Sequence, residues 1–352
     1  MHLAHYNFSY GFRPGRSAKD ALEVLRKTVD GGRTRVVYEA DIKGFFDNLD
    51  HGWLRKFVAH RVADRGILRL IGKVLNSGIV EDGKVTRSDK GAPQGGPLSP
   101  LLANICLHYV LDLWFDRRFR RSCRGSVSMV RYADDFVVCF EHPEEAERFG
   151  REVVERFAAF GLELVPEKTR LVEFGTEQQE RGPGPESGGR TFDFLGFTHY
   201  MRRRPKRGLK TARKPSRKSR NRCLAEAKQW LHDHMHASPW FHQKVLNQKL
   251  RGFYEYFHLR HCLPALKHVH FQAVRLWFRV LDRRSQKARL AWVRVKRKPW
   301  FHLLSPVTPR SGPRAPRKGS EPEGGRQATA GVKVREPVAP GQMPLFPELA
   351  QP

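Results

Sequence analysis

An α+β fold is predicted by three features of the 352-residue sequence. Over residues 1–200, apolar positions recur at helical spacing in some segments and at strand spacing in others. Beyond a basic stretch at 201–222, only helical stripes recur, over residues 223–302. From 303 to 352, Pro, Gly, Arg and Ser dominate, and a disordered basic tail is expected.

The elements follow in order. In "SAKDALEVLRKTV", Ala18, Ala21, Leu22, Leu25 and Val29 share one helical face, with Ser17 as N-cap. "RVVYEADI" reads as a short buried strand ending at Asp41. Pro97 and Pro100 stand ahead of "LLANICLHYVLDLWF", a long apolar helix entered through proline. "SVSMVRYADDFVVCF" reads as two strands meeting near a pair of aspartates. In "PEEAERFGREVVERFAAFG", Ala146, Phe149, Val153, Phe157 and Phe160 keep 3.6-residue spacing, and Gly161 follows the helix end. Residues 175–190 have the composition of a flexible loop, and "FDFLGF" (192–197) resumes strand character. Further on, Leu246, Leu250, Phe253 and Phe257 form one helical stripe, and Leu266, Val269, Ala273, Leu276 and Val280 another. His232 and His236 share a helix face but lack further ligands at metal-site spacing, so they read as surface histidines.

The chain is 39% hydrophobic, enough for one large core or two smaller ones, and carries a formal charge of +29 with a pI near 10.5. Such a surplus opposes compaction, which points to a polyanionic partner, nucleic acid first and an anionic membrane surface second. No apolar run approaches the roughly 18 residues of a membrane span, and no basic-then-apolar secretory signal opens the chain. Five scattered cysteines form no C-x-x-C pair, which argues against a zinc site or a disulfide framework and suits a reducing cytosol. Residues 201–222 hold twelve Lys or Arg and no acid. They are expected to be a linker between two domains that touches phosphate through Arg202, Arg203, Arg204, Lys206, Arg207 and Lys210.

Asp134 and Asp135 interrupt the strand-like "VRYADDFVVCF". Adjacent carboxylates repel, and neither is comfortable ionised among apolar residues. A solvated hairpin turn, a salt bridge to Arg131 and ligation of a divalent cation would each accommodate them. Asp41, 93 residues upstream, also ends an apolar strand. If the strands are sheet neighbours, the three carboxylates converge as hard oxygen donors of the kind that hold Mg²⁺ and recruit phosphates. Two such ions about 3.5–4 Å apart clamp both oxygens of a phosphoryl transfer. Between the carboxylate strands lies "KGAPQGGPLSPLLANI". Gly91, Gly95 and Gly96 permit close backbone approach to a ligand there, and Pro93 and Pro97 stiffen the turn.

The collinear series "YGFRPGRSAKDAL", "DIKGFFDNLDH", "GAPQGGPLSPLLANI", "RYADD", "GLELVPEKTRLVEFG" and "FDFLGF" closely resembles the reverse transcriptases encoded by group II introns, particularly the bacterial type. "LNQKLRGFYEYFHLRHCLPALKHVHFQAVRLWFRVLDRRSQKA" looks like that family's maturase, or thumb, domain. The resemblance covers about residues 6–300. It implies a polymerase palm with partial fingers over 1–200, the basic linker, and a helical thumb/maturase domain over 223–302. Asp41 and Asp134 would be the principal ligands of two Mg²⁺ ions, with Asp135 beside them and the Ile42 carbonyl completing one shell. Phe46 matches a steric gate against the ribose 2′-OH, so deoxynucleoside triphosphates would be used. Phe45 suits core packing. Pro93 and Gln94 would line the nucleotide pocket, and Gly95 and Gly96 would pack near the template. Lys168 matches a lysine that helps protonate the pyrophosphate leaving group.

The implied partners are a group II intron RNA and an RNA template with a DNA primer. The implied location is the bacterial cytoplasm, in association with the nucleoid. Family members carry some tens of residues ahead of the first motif, forming most of the fingers and holding the triphosphate. Here the match begins almost at Met1, through a start-site error or a 5′ truncation. No Cys/His-rich endonuclease pattern follows, so cleavage of target DNA is not expected. Two functions stay open: an RNA-directed DNA polymerase with linked maturase activity, and an RNA-binding splicing cofactor that no longer polymerises.

Overall fold

The structure is a computed structural model that describes residues 6–76, 79–81, 84–86, 90–91, 98–174, 190–204, 208–284 and 290–306. At its centre, β1 (Val36–Ala40), β4 (Val127–Tyr132), β5 (Asp135–Phe140) and β6 (Arg170–Glu173) form an antiparallel sheet ordered β4–β5–β1–β6. The strands carrying Asp41 and the aspartate pair are therefore neighbours. Register pairs Val36 with Phe140, Tyr38 with Val138 and Ala40 with Phe136. Because side chains alternate along a strand, these six point to one face and Val37, Val137 and Cys139 to the other.

Each face has its own cover. The first packs against α2 (His51–Ala59), α4 (Ser99–Leu107) and α5 (Pro143–Ala158). On α5, Ala146, Phe149, Val153 and Phe157 are fully buried as the spacing predicts, and each Phe or Val contributes roughly 1.5–3 kcal/mol. Gly161, at φ +72°, turns the chain away after that helix. The second face packs against α1 (Ala18–Asp30), which starts at a capping box between Ser17 and Asp20. Between α2 and α4 in the chain, α3 (Arg65–Leu75) leads to a small hairpin of β2 (Ile79–Glu81) and β3 (Lys84–Thr86).

The long apolar helix begins with Pro100 in its first turn and is not uniform. Past α4 it widens into π-helical turns over His108–Asp112 and Phe115–Phe119. A widened turn inserts an extra residue and re-aims the side chains around it.

Residues 201–222 depart from the expected linker. β7 (Phe192–Phe194), β8 (Phe197–Arg204) and β9 (Gly208–Pro215) form a second antiparallel sheet, and α6 (Arg217–Asp233) follows directly. Met201, Thr211 and Ala212 are buried among the basic residues. The β9 backbone is tied to α1 through Thr211 N donating to Asp30 Oδ1 at 2.8 Å, and Arg213 pairs with Glu23 at 3.5 Å. The charge run concealed this alternation.

α7 (Pro239–Phe257) and α8 (Leu263–Arg283) complete the helical part with the short α9 (Trp292–Lys296). Leu246, Leu250, Leu266, Val269 and Ala273 are buried as expected, but further along α8 Trp277 and Leu281 take the inner positions. Leu276 and Val280 are only partly covered, because a 3.6-residue helix rotates the stripe by one position. His232 is exposed and α6 ends at Asp233, so His236 lies beyond it and the two share no helix. Residues 303–306, expected to open the tail, are packed instead. Leu304 N donates to Asn247 Oδ1 at 2.6 Å, and Pro306 is buried. Residues 307–352, like most of the 175–190 loop, lie outside the described residues.

Candidate functional site

β1 ends at Ala40, which places Asp41 at the sheet edge, and Val165 N donates to the Asp41 carbonyl at 2.9 Å. Ala133 and Asp134 form the two-residue turn between β4 and β5, closed by the pairing of Tyr132 with Asp135. Register therefore sets Asp135 beside Asp41. Lys168 arrives from the turn before β6, and its ammonium pairs with Asp41 Oδ2. Three segments thus contribute to one open cleft of about 1240 Å³.

Electrostatics follow from this crowding. Burial raises the Asp134 pKa from its ordinary value, a backbone hydrogen bond opposes this, and the Asp41 charge raises it further. Asp135 is pushed up to about 6, first by burial and then by the charges of Asp134, Asp41 and Glu39, with Lys168 opposing. Its side chain still reaches solvent through the cleft mouth, so water tempers the first of these effects. The Lys168 pKa is raised, chiefly by its hydrogen bond to Asp41.

Among the described residues, no three His, Cys, Asp or Glu side chains close into a metal-binding group. The chemistry of the donor set nevertheless suits a divalent cation: hard carboxylate oxygens from Asp41, Asp134 and Asp135, on sheet ends, destabilising one another as anions. The Ile42 side chain is buried, and its bridge to Leu164 runs through Lys43 N to Glu163 O and Val165 N to Asp41 O. That bridge leaves the Ile42 carbonyl unused. Arg131 does not pair with either aspartate of the turn; it lies behind them, bonded to Asp112.

Phe46 lines the cleft, while Phe45 is buried against it at 5.6 Å between ring centroids. Gly91, at φ +93°, approaches the backbone of Asp47, and an added Cβ would stand 3.2 Å from the Asp47 carbonyl oxygen. Its close approach is to the chain itself. Pro93, Gln94, Gly95 and Gly96 lie outside the described residues, as do Lys206 and Arg207. Arg202 and Arg203 are exposed on β8, and Lys210 Nζ donates to the Asp30 carbonyl at 3.3 Å. None of these three lines the cleft, and Arg204 ends β8.

The cleft is also lined by cations that the motifs did not point to: Lys218 and Arg222 on α6, the latter 3.9 Å from Glu226, and Lys249 on α7. Their signal was present, since Lys218 and Arg222 stand four apart and share a helix face. Phe12, at φ +53° and 61% exposed, also lines the cleft.

One open cleft thus holds strand-end carboxylates together with the cations Lys168, Lys218, Arg222 and Lys249. The family model for reverse transcriptase (RNA-dependent DNA polymerase) matches residues 3–199, more than half of the sequence, and the chain belongs to that family. It is 44% identical over 115 residues to the group II intron-encoded protein LtrA of Lactococcus lactis subsp. cremoris, covering 31% of this chain and 19% of LtrA. Protein YkfC of Escherichia coli strain K12 is 31% identical over 161 residues, covering 38% of this chain and 42% of YkfC. An uncharacterised 91 kDa protein in the cob intron of Schizosaccharomyces pombe is 38% identical over 126 residues, covering 36% and 15%. The matches thus span less than half the length of these relatives. Among solved structures, telomerase from Candida albicans in complex with a fragment of telomeric RNA aligns at a TM-score of 0.42 and 13% identity, covering 78% of this chain and 48% of that one. No helix among the described residues is long and apolar enough to cross a membrane.

Proposed function

We propose that this chain is an RNA-directed DNA polymerase of the group II intron kind, which adds deoxynucleotides to a primer on an RNA template and binds intron RNA to assist splicing. One observation carries the reading: Asp41, the Asp134–Asp135 pair and Lys168, from three segments, line one cleft together with Lys218, Arg222 and Lys249. In polymerase terms, residues 1–200 act as palm with partial fingers and residues 223–302 as thumb and maturase domain.

Asp41, Asp134 and Asp135, with the Ile42 carbonyl, would hold two Mg²⁺ ions. When bound, Mg²⁺ supplies Lewis-acid stabilisation to the attacking and leaving oxygens. The chain's own residues do the rest. Lys218, Arg222 and Lys249 hold backbone phosphates in the cleft. The Phe46 ring excludes a ribose 2′-OH, selecting deoxynucleoside triphosphates. Lys168 keeps its proton at the cleft floor, where it can be given to a departing pyrophosphate oxygen. Pro93 and Gln94 contact the nucleotide, and Gly95 and Gly96 the template. Arg202, Arg203, Arg204, Lys206, Arg207 and Lys210 grip intron RNA.

Extension of a DNA primer on an RNA template with Mg²⁺, comparing the chain with Asp134→Ala, tests this. Extension by the unsubstituted chain and its loss in the variant are expected. Absent extension with retained intron-RNA binding would remove the polymerase reading and leave a splicing cofactor.

A further inference from the structure

The turn that carries Asp134 is held from behind by a buried polar network. Arg131 is 0% exposed, and its Nε and Nη2 donate to the two carboxylate oxygens of Asp112 at 2.8 and 2.5 Å. Its Nη1 donates to Asn104 Oδ1 at 3.0 Å and to the Ala133 carbonyl at 2.8 Å. Asn104 Nδ2 then donates to the Gly11 carbonyl at 2.9 Å. Gly11 is pressed against the turn so closely that an added Cβ would stand 2.3 Å from Ala133 N. The main chain of Arg131 is fixed as well, its N–H donating to the Phe8 carbonyl and its carbonyl accepting from Tyr10 N–H, both at 2.8 Å.

A buried ion pair is a poor stabiliser, since apolar residues of the same volume often serve as well or better. A purely structural pair would also have no need of the third arm. That arm ends on Ala133, the residue before Asp134, which sits at φ +55°, a left-handed conformation costly for any residue with a Cβ. We infer that Arg131, Asp112 and Asn104 are positioning residues: they hold the Ala133–Asp134 turn in its left-handed form and so aim the Asp134 carboxylate at Asp41. Asp112 reaches Arg131 from the first widened turn after α4, which gives that departure from regular helix a purpose. The inference rests on the polymerase reading only for its consequence; the geometry of the turn is independent of it.

Asn104→Ala is the test, because it leaves the Arg131–Asp112 pair intact while removing the bond that shares Nη1 with the Ala133 carbonyl and keeps it aimed there, and the bond to Gly11. Hydrogen exchange of the peptide over 131–136 is expected to quicken at least tenfold, with exchange over α5 unchanged. Mn²⁺ binding, followed by electron paramagnetic resonance, is expected to weaken about tenfold, in the range seen when partners of metal ligands are removed. Asn104→Asp keeps the acceptor toward Arg131 and loses the donor toward Gly11, so it should fall between the two. Unchanged exchange at the turn in both variants overturns the inference. If the unsubstituted chain binds no Mn²⁺, the metal site fails, and the exchange result alone still decides the network.

Discussion

At the scale of single residues, the site depends on contacts that tolerate no extra atoms. Gly11 is such a position, and not because of its φ: the space for a side chain is filled by the Ala133 amide. Gly11→Ala must push the turn or the N-terminal segment aside. A loss of about 1–3 kcal/mol, typical of overpacking, is expected in denaturant unfolding. The aspartates themselves were legible in the sequence because a charge pair in an apolar strand is conspicuous. Their supports were not, because Asn104 and Asp112 look like ordinary polar positions on a helix until the fold brings them to Arg131. Arg131 was visible, but as a partner of the wrong carboxylates.

At the scale of elements, periodicity gave α1 and α5 down to their buried residues, since both lie on one surface and keep one stripe. The β8–β9 hairpin escaped because its partner strands and α1 bury positions that basic neighbours mask. On β8, His199 is fully buried, stacked on Phe192 at 4.8 Å between centroids, with neither ring nitrogen hydrogen-bonded. Burial pushes its pKa down to about 3, and burial likewise lowers His108 to about 4. The unfolded chain takes up these protons near pH 6.5, whereas the folded chain does not until pH 3–4. Stability therefore falls as pH drops through that window, by about 2 kcal/mol per histidine at pH 5. Asp135, raised to about 6, acts in the opposite sense and offsets part of the loss between pH 6 and 3.8. Melting temperatures at pH 7 and pH 5 should therefore differ less in His199→Phe than in the unsubstituted chain.

At the scale of the whole molecule, the charge of +29 includes two groups of cations with different neighbours. Lys218, Arg222 and Lys249 line the cleft with the carboxylates, while Arg202 and Arg203 are exposed on β8 outside it. Alanine at the three cleft cations should lower the slope of log K against log salt for single-stranded RNA by about 2. An unchanged slope in a binding titration would show that the cleft wall does not touch phosphate. The parallel pairing of Ser9 with Arg131 has a consequence of another kind. An edge strand left bare is a template for pairing with other chains. At β4 the chain's own opening segment occupies part of that edge, bonding Arg131 on both its amide and its carbonyl. Whatever loosens residues 6–11 uncovers a sticky border beside the acidic turn, so solubility and the aim of Asp134 are guarded by the same few residues.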